Sequence, residues 1–357
     1  MLIEKLFILP LLLAAAITYA ATPLVIRLAW KYGLIDDPRK NNHPKVIHTK
    51  PTPRAGGLAI YLGVVSAALL FLPIDKHLIG ILGGVSLLVL MGIVDDRYNL
   101  NPYLRLIVQF VAASIPIAAG IGIAFWNSPF GFVDLSYPRI EFFLLGETRS
   151  IWILSDLFAL FWIVTLMNFI NWGAKGVDGQ LSGVITIAAC VIAILSLKFS
   201  ADITEWQVTI LAAILAGAFL GFLPWHIYPQ KIMPGFSASN LAGFLLGILS
   251  ILTTTKVGTL FLVLGVPLID SGYTVVRRIA AGKSPVWGDK GHLHHRLLDV
   301  GWSKRKVAYF YWAITVVLGL IALWVNKQWK LYTVLGLGFL LGGLLLWLTF
   351  RPRRRYS

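Results

Sequence analysis

The sequence predicts an all-α polytopic membrane protein with about eleven transmembrane helices. Apolar residues make up 57 % of the 357 residues, and the mean hydropathy is +0.77. Because a bilayer core takes roughly 20 apolar residues per spanning helix, long apolar stretches are the candidate spans. In chain order these stretches cover residues 6–28, 55–73, 77–94, 104–125, 151–170, 181–197, 206–223, 240–254, 257–276, 308–325 and 331–350. The eighth is short and interrupted by glycine.

The first stretch is expected to remain in the protein as a helix. It is too long for a signal peptide and ends at Arg27 without a small-residue cleavage site. The single cysteine, Cys190, lies in an apolar stretch, so the sequence predicts a core residue and no disulfide framework. Residues 1–357 are therefore expected to form one integral-membrane domain.

The distribution of basic residues predicts the topology. With the N-terminus outside, 23 of the 31 Lys and Arg residues fall on the inner side. The inner segments are about 27–54, 95–105, 168–180, 224–239, 277–306 and the tail after 350. The positive-inside rule then places these loops and the C-terminus in the cytoplasm. Because the basic residues are dispersed over several loops, the formal charge of +15 does not indicate a nucleic-acid partner.

The longest predicted outer loop covers about residues 126–150. Pro129, Gly131 and Pro138 stand there among alternating apolar residues, a pattern that favours a small hairpin. The loop contains no evident catalytic group, so the chemistry is expected on the inner side.

Two candidate functional segments border the second and third spans. Lys50–Gly57 combines stiffening prolines with glycines that let the backbone approach a ligand, although an ordinary turn at the start of a helix explains it equally well. The pair Asp95–Asp96 ends the third span. Adjacent carboxylates can accept a proton or hold a divalent cation against phosphate oxygens; the alternative is a solvated helix cap.

A third candidate is the segment Asn168–Gly179. Asn168 and Asn171 share one helical face, and glycines surround Asp178. Such a backbone suits a loop that wraps a small polar ligand, whereas the alternative is a flexible connector.

The last candidate is His292–Arg296, which places three histidines beside an arginine. Imidazoles and a guanidinium fork predict the handling of a phosphorylated substrate at the membrane surface. The alternative is a solvated loop that meets anionic lipid. Upstream, Asp270 lies inside an apolar stretch and needs a partner; Arg277, two helical turns further on, is a candidate for an ion pair or a shared site.

These segments together resemble a known family, the polyprenyl-phosphate N-acetylaminosugar-1-phosphate transferases. The resemblance covers K-x-T-P-x-x-G-G at Lys50–Gly57, the pair Asp95–Asp96, N-x-x-N…G-x-D-G at Asn168–Gly179, and the P-x-x-D…R-R…D-x-G-H-x-H-H-R-L element at Pro267–Leu297. The four elements occur in order through most of the chain. Leu293 between two histidines is similar to the branch that uses UDP-N-acetylhexosamine rather than the muramoyl-pentapeptide branch.

The resemblance implies a reaction. The phosphate of a prenyl carrier such as undecaprenyl phosphate attacks the sugar-linked phosphate of a UDP-sugar and gives a prenyl-diphosphate sugar and UMP. This would be the first lipid-linked step of cell-envelope glycan synthesis. The family implies Mg²⁺ as cofactor and a multi-pass protein in the inner (plasma) membrane with its site facing the cytoplasm. The resemblance leaves open whether the protein forms a homodimer.

The resemblance also assigns roles to residues. It implies catalytic roles for Asp95, Asp96, His292, His294 and His295, substrate binding by Lys50, Asn168, Asp178 and Arg296, and metal binding by Asn171. Asp95 resembles the base that deprotonates the carrier phosphate, and Asp96 an electrostatic or metal-side partner. Lys50 and Asp178 resemble uridine contacts, while the histidines and Arg296 resemble the group that holds the diphosphate. We expect these side chains to converge on one cleft at the inner surface.

The chain departs from the family pattern at two positions. Phe236 stands where the family's G-D-x-G-S element carries an Asp expected to bind the metal, and a phenyl ring cannot ligate Mg²⁺. Lys175 best matches the Asp of the family's first D-G, with one inserted residue. The lysine could supply positive charge that a weaker or missing metal no longer provides.

Three other functions remain open from the sequence. The first is a family member that binds prenyl phosphate or nucleotide sugar without turnover, which the Phe236 change favours. The second is a phospho-N-acetylmuramoyl-pentapeptide transferase. The third is a lipid transporter, which is least supported because the polar groups crowd one predicted surface rather than the middle of the membrane.

Overall fold

Apolar helices dominate the computed structural model, which describes residues 2–39, 48–128, 131–144, 147–198, 204–253, 256–284, 291–325 and 327–350. A π-helical turn at Glu4–Ile8 leads into the first α-helix. The α-helices are α1 Leu9–Tyr32, α2 Gly56–Phe71, α3 Lys76–Tyr98, α4 Pro102–Ala118, α5 Ile153–Gly173, α6 Gln180–Lys198, α7 Thr204–His226, α8 Gly235–Leu252, α9 Lys256–Val263, α10 Gly265–Ala280, α11 Leu293–Asp299, α12 Lys304–Trp324 and α13 Lys327–Phe350.

The predicted multi-pass membrane class is confirmed. In the described part of the chain, seven helices are long and apolar enough to cross a bilayer, and the pair α9–α10, bent by 89°, would make an eighth span. The segments Gly56–Phe71, Pro102–Ala118 and Leu331–Trp347 are apolar but shorter. Each predicted stretch thus coincides with apolar helix, but helix length supports seven or eight spans. The count of eleven and the sides of the termini stay predictions.

Helix boundaries have local causes in the sequence. Asp75 caps α3 by accepting a hydrogen bond from Leu78 N at 2.8 Å. Asn101 caps α4 by accepting from Tyr103 N at 2.9 Å, with Pro102 in the first helical position. Both caps satisfy amides that the first turn of a helix leaves without partners.

Short antiparallel strand pairs occupy two of the loops. In the first long loop, β1 Ile35–Asp36 pairs with β2 Thr52–Pro53. The predicted outer loop contains two hairpins rather than one: β3 Phe125–Ser128 with β4 Gly131–Asp134, and β5 Arg139–Leu144 with β6 Glu147–Trp152. Helix α5 begins directly after β6, so its length of roughly 30 Å separates the hairpins from the loop that follows α5.

Helix α8 forms the centre of the bundle. Every residue from Gly235 to Ile251 is buried, and the helix packs against α3 and α5. Gly243 lies so close to the backbone of Met167 in α5 that a Cβ atom there would overlap it. Its first turn, Gly235–Ser239, lies against Gly92 near the end of α3. The N-terminal end of α8 therefore meets the segments that carry the candidate site residues, and we call this end of the molecule the site end of the bundle.

Helix α7 packs against α1 through two glycines one turn apart. A Cβ at Gly217 would overlap the carbonyl oxygen of Leu11, and a Cβ at Gly221 would overlap that of Ala15. Small residues at this spacing let membrane helices approach closely, where dispersion forces and weak hydrogen bonds stabilise the pair.

Replacing Gly217 by leucine is expected to separate α1 from α7. Overpacking of this kind costs about 1–3 kcal/mol in the free energy of unfolding, so the thermal midpoint of Gly217→Leu in detergent should fall. Gly338→Leu in α13 is the matched control, because a Cβ there meets nothing within 4 Å. Equal midpoints for the two variants would contradict the close contact between α1 and α7.

Candidate active site

The carboxylate pair Asp95–Asp96 lies in the last turns of α3 and is buried, with 1 % and 3 % of the two residues exposed. Asp95 Oδ1 lies 2.6 Å from Arg105 Nε, and Asp96 Oδ1 lies 3.2 Å from Arg54 Nε. Adjacent buried carboxylates repel each other and need counter-charges, which these two arginines provide. The pair is therefore an interior ion-pair cluster and not a solvated helix cap.

Three backbone amides also donate to the pair. Leu100 N lies 3.0 Å from Asp95 Oδ1, Ala55 N lies 3.1 Å from Asp96 Oδ2, and Phe236 N lies 3.2 Å from Asp96 Oδ1. These amides belong to the turn after α3, the residue before α2 and the first turn of α8. The carboxylates thus join three separate segments of the chain.

Lys175 reaches the same cluster from the loop after α5. Its Nζ donates to Gly235 O at 3.2 Å and lies 3.5 Å from Ser239 Oγ. Burial lowers the pKa of Lys175 to about 7, and the nearby Asp96 carboxylate opposes that shift. Below a pH of about 7 the side chain is therefore an ammonium group beside the carboxylate pair.

Phe236 is buried between two cations. Its ring centroid lies 5.9 Å from the Lys175 ammonium and 5.0 Å from the Arg105 guanidinium, and 4 % of the residue is exposed. A ring face attracts cations at these distances through its quadrupole. The phenyl group thus stabilises fixed positive charge at the position where the family resemblance predicts a metal-binding carboxylate.

The two asparagines of the third predicted segment have different surroundings. Asn171 Oδ1 accepts a hydrogen bond from Ser239 Oγ at 2.9 Å, the same hydroxyl that approaches the ammonium. Asn168 Nδ2 donates to Gln109 Oε1 at 2.8 Å, and Gln109 donates in turn to Asn240 Oδ1 at 2.5 Å. Asn171 therefore belongs to the site cluster, while Asn168 belongs to a buried amide network that links α4, α5 and α8.

The three histidines surround the start of α11 and are all buried. The rings of His292 and His294 stack with centroids 5.6 Å apart, and His295 lies 4.4 Å from His294. Asp270 Oδ2 lies 3.0 Å from His292 Nδ1, and its other oxygen accepts from Leu293 N at 2.8 Å. Among the described residues, the buried Nε2 of His292 has no hydrogen-bond partner, so this atom can meet a ligand.

Gly176 connects the histidines to the carboxylates. Its α-carbon packs so closely against the His294 imidazole that a Cβ would overlap the ring. Because Gly176 directly follows Lys175, one loop touches both the histidine group and the surroundings of Asp96. Of the predicted residues, the structure brings together Asp95, Asp96, Asn171, His292, His294 and His295 at the site end of the bundle.

Asp178 is buried two residues beyond this contact. Its Oδ2 accepts from Gln230 N at 3.2 Å, and its Oδ1 lies 3.7 Å from Lys304 Nζ. Lys50, by contrast, is exposed in the first long loop, where its carbonyl accepts from Thr52 Oγ1 at 2.9 Å. The predicted uridine contacts of Lys50 and Asp178 stay proposals.

Arg296 holds α11 against neighbouring segments. Its Nε donates to Gly291 O at 2.8 Å, and its Nη1 donates to Leu345 O in α13 at 2.7 Å. Its predicted binding of diphosphate also stays a proposal. Residues Gly288–Lys290, which precede the histidines in the family element, lie outside the described residues.

The donor set of this cluster does not fit a protein-bound Mg²⁺ ion. Mg²⁺ takes hard oxygen ligands in octahedral geometry, usually including carboxylates. Both carboxylates here are held by arginines, Phe236 has no donor atom, and Lys175 places a cation beside them. No group of three or more His, Cys, Asp or Glu side chains within the described ranges is arranged to hold a metal. The amide oxygen of Asn171 alone cannot supply a site.

Sequence reasoning missed the partners of the acidic residues. Arg105 lies ten positions after Asp95, on the following helix, and the turn between α3 and α4 returns it to the carboxylate. Asp270 pairs with His292, whereas the sequence offered Arg277 on the same helix as a candidate for an ion pair or a shared site. The available signal was the cost of a buried carboxylate, which demands a partner but does not identify it.

Comparison with known proteins connects this geometry to a family. Residues 78–254 match glycosyl transferase family 4. The chain is 34 % identical to the decaprenyl-phosphate N-acetylglucosaminephosphotransferase of Mycolicibacterium smegmatis, over 88 % of this chain and 78 % of that protein. It is 32 % identical to the probable undecaprenyl-phosphate N-acetylglucosaminyl 1-phosphate transferase of Bacillus subtilis, over 85 % and 80 %. It is 27 % identical to the phospho-N-acetylmuramoyl-pentapeptide-transferase of Staphylococcus aureus, over 88 % and 98 %.

Replacing Gly176 by alanine is expected to displace the His294 ring. The buried imidazole should then react faster with diethylpyrocarbonate, as measured site by site with mass spectrometry. Gly272→Ala is the control, because a Cβ there meets only Phe169 at 3.9 Å. His226, buried in α7, reports any general loosening. An unchanged rate at His294 would contradict the tight packing of this loop.

Proposed function

The chain belongs to glycosyl transferase family 4, and we propose that it transfers a sugar 1-phosphate from a UDP-sugar to polyprenyl phosphate. An oxygen of the lipid phosphate would form a bond to the sugar-linked phosphorus. The bond from that phosphorus to the oxygen shared with UMP would break, and UMP would leave. The observation that carries the proposal is the meeting of two buried carboxylates, three cations and three buried imidazoles at one end of a membrane bundle.

The arrangement suits a reaction between a membrane lipid and a polar nucleotide. A prenyl chain lies in the bilayer, so its phosphate meets the protein where the spanning helices end. The reacting phosphates are both anionic and repel each other. Preorganised cations and hydrogen-bond donors offset that repulsion most effectively in a site that excludes water.

The residues support a division of roles. Asp95, held by Arg105, would accept the proton of the lipid phosphate. Asp96 would orient the first turn of α8 and balance the neighbouring cations. His292, whose ring Asp270 holds at Nδ1, would turn its buried, unpartnered Nε2 towards the diphosphate. Asp178 would contact uridine from the adjoining loop.

N-acetylglucosamine 1-phosphate is the group that the relatives favour. The two relatives named for N-acetylglucosamine are 34 % and 32 % identical to this chain, and the one named for the muramoyl pentapeptide is 27 % identical. We place the protein in the plasma membrane with the site facing the cytoplasm, in agreement with the distribution of basic residues. The product would then start a lipid-linked glycan of the cell envelope.

A second candidate is a protein that binds these ligands without turnover. The observation in its favour is the pair of departures at Lys175 and Phe236: a ring stands where the resemblance implies a metal-binding carboxylate, and the lysine ammonium lies 5.9 Å from that ring. Purified protein in lipid nanodiscs should be given undecaprenyl phosphate with UDP-N-acetylglucosamine, UDP-N-acetylgalactosamine or UDP-N-acetylmuramoyl pentapeptide. We expect UMP and a prenyl-diphosphate sugar from UDP-N-acetylglucosamine. Binding of the nucleotide sugar without UMP from any donor would favour the second candidate.

Asp95→Asn should lower the rate of UMP release by about 10²–10⁴-fold, because the lipid phosphate would lose its proton acceptor. The amide keeps the size of the side chain, and the thermal midpoint of the variant checks that the fold survives. Asp134→Asn, in the exposed hairpin at the opposite end of α5, is the control and should release UMP normally. A folded Asp95→Asn protein with near-normal release would remove Asp95 from the mechanism.

A further inference from the structure

We propose that the ammonium group of Lys175 takes the place of a divalent cation in this site, so that the chain needs no bound metal ion. The expected effect of Lys175 on UMP release rests on the proposed transferase function. The structural statement, a fixed organic cation in place of a metal, stands on the geometry of Lys175 and its neighbours.

The ammonium is held where a cation serves the site. Its Nζ is bound to Gly235 O at 3.2 Å and lies near Ser239 Oγ at 3.5 Å. Ser239 donates to Asn171 Oδ1 at 2.9 Å, so the Ser239 hydroxyl links the predicted metal ligand to the lysine. The attraction of Asp96 also acts on the ammonium. Oxygen atoms suited to a cation therefore surround a side chain that carries its own charge.

The position of Gly235 ties this arrangement to the carboxylate. Gly235 has a φ of +72°, and a Cβ atom there would overlap the carboxylate of Asp96. A side chain is therefore excluded twice, by conformation and by space. The close contact fixes the carbonyl that Lys175 binds, so the acid and the ammonium share one rigid support.

Phe236 and Lys175 complement each other. A carboxylate in place of the phenyl ring would add a ligand for a hard dication, whereas the ring offers only a quadrupole. That quadrupole faces the Lys175 ammonium at 5.9 Å and the Arg105 guanidinium at 5.0 Å. The two departures from the family pattern are therefore consistent with each other: Lys175 supplies an organic cation, and Phe236 offers that cation a ring face instead of offering a metal a carboxylate.

The charges of the cluster point the same way. Asp95 and Asp96 are matched by Arg54 and Arg105, and Lys175 adds a further positive charge while it is protonated. This surplus is available to incoming phosphates. A divalent ion placed here would meet that surplus at close range, with a phenyl ring in place of the carboxylate that the family resemblance implies as a ligand.

The test compares metal binding and UMP release in four proteins: the parent, Lys175→Met, the double variant Lys175→Asp/Phe236→Asp, and Lys231→Met. Lys231 is the control lysine, since its ammonium lies over the Trp225 ring at 4.9 Å, in the loop after α7. Mn²⁺ serves as the metal probe, and its binding is followed by electron paramagnetic resonance. UMP release is measured with EDTA and with Mg²⁺.

The proposal expects the parent to leave Mn²⁺ free and to release UMP equally with EDTA or Mg²⁺. Lys175→Met should lose about 10²–10³-fold in rate, the usual effect of removing one electrostatic contact to a transition state. The double variant should bind Mn²⁺, and its UMP release should depend on Mg²⁺. Lys231→Met should behave as the parent.

Two results would overturn the proposal: stoichiometric Mn²⁺ binding by the parent, or parental UMP release by Lys175→Met. Thermal midpoints monitor folding. If Lys175→Met is unstable, Lys175→Arg, which keeps the charge, takes its place. In the presence of EDTA, Lys175→Arg should retain more activity than the double variant.

If the parent releases no UMP under any condition, the transferase function fails. The Mn²⁺ measurement still decides the cation question, because it needs no turnover.

Discussion

The ion pairs of Asp95 with Arg105 and of Asp96 with Arg54 are the interactions on which the site depends. Two adjacent carboxylates at the end of an apolar helix would be unstable alone, since burial and mutual repulsion both oppose their ionisation. Their partners come from the segment before α2 and from α4, while an amide of α8 adds a further donor. Satisfying the charges therefore positions four segments of the chain, and the same contacts that stabilise the fold also build the candidate site.

Helix α8 connects the carboxylate cluster with the interior of the helix bundle. Its first turn binds Asp96, and its buried polar residues continue inwards as Ser239 and Asn240. Asn240 joins Gln109 and Asn168 in the amide network. Polar groups inside a membrane protein must find partners within the protein, so a network of amides specifies how neighbouring helices meet. The predicted substrate-binding residue Asn168 thus has a structural task that keeps α5, and with it Asn171, in register with the site.

The positions of the apolar helices could be predicted from the sequence, because hydropathy alone determines them. Hydropathy alone located the apolar helices, because each must match the bilayer regardless of its neighbours. It failed to predict the 89° bend between α9 and α10, since residues 257–276 form one continuous apolar stretch. Hydropathy also could not predict which side chains pair with each other in the folded protein. Asp270 pairs with His292 at the start of α11 rather than with Arg277 on its own helix. Helical periodicity cannot predict this pair, because it depends on how the loop after α10 brings α11 back against α10.

The positions where sequence and family pattern disagree turn out to be neighbours in space. Lys175 lies in the loop after α5 and Phe236 in the first turn of α8, yet they contact each other and share Gly235 as a neighbour. A lysine also differs from a metal in a consequential way. It is part of the chain and needs no metal-binding equilibrium, but it carries one charge instead of two and only while protonated, and its donors are directional. Because Arg54 and Arg105 are matched by the two carboxylates, the proposed role of Lys175 would make its ammonium the unmatched positive charge that an incoming phosphate meets.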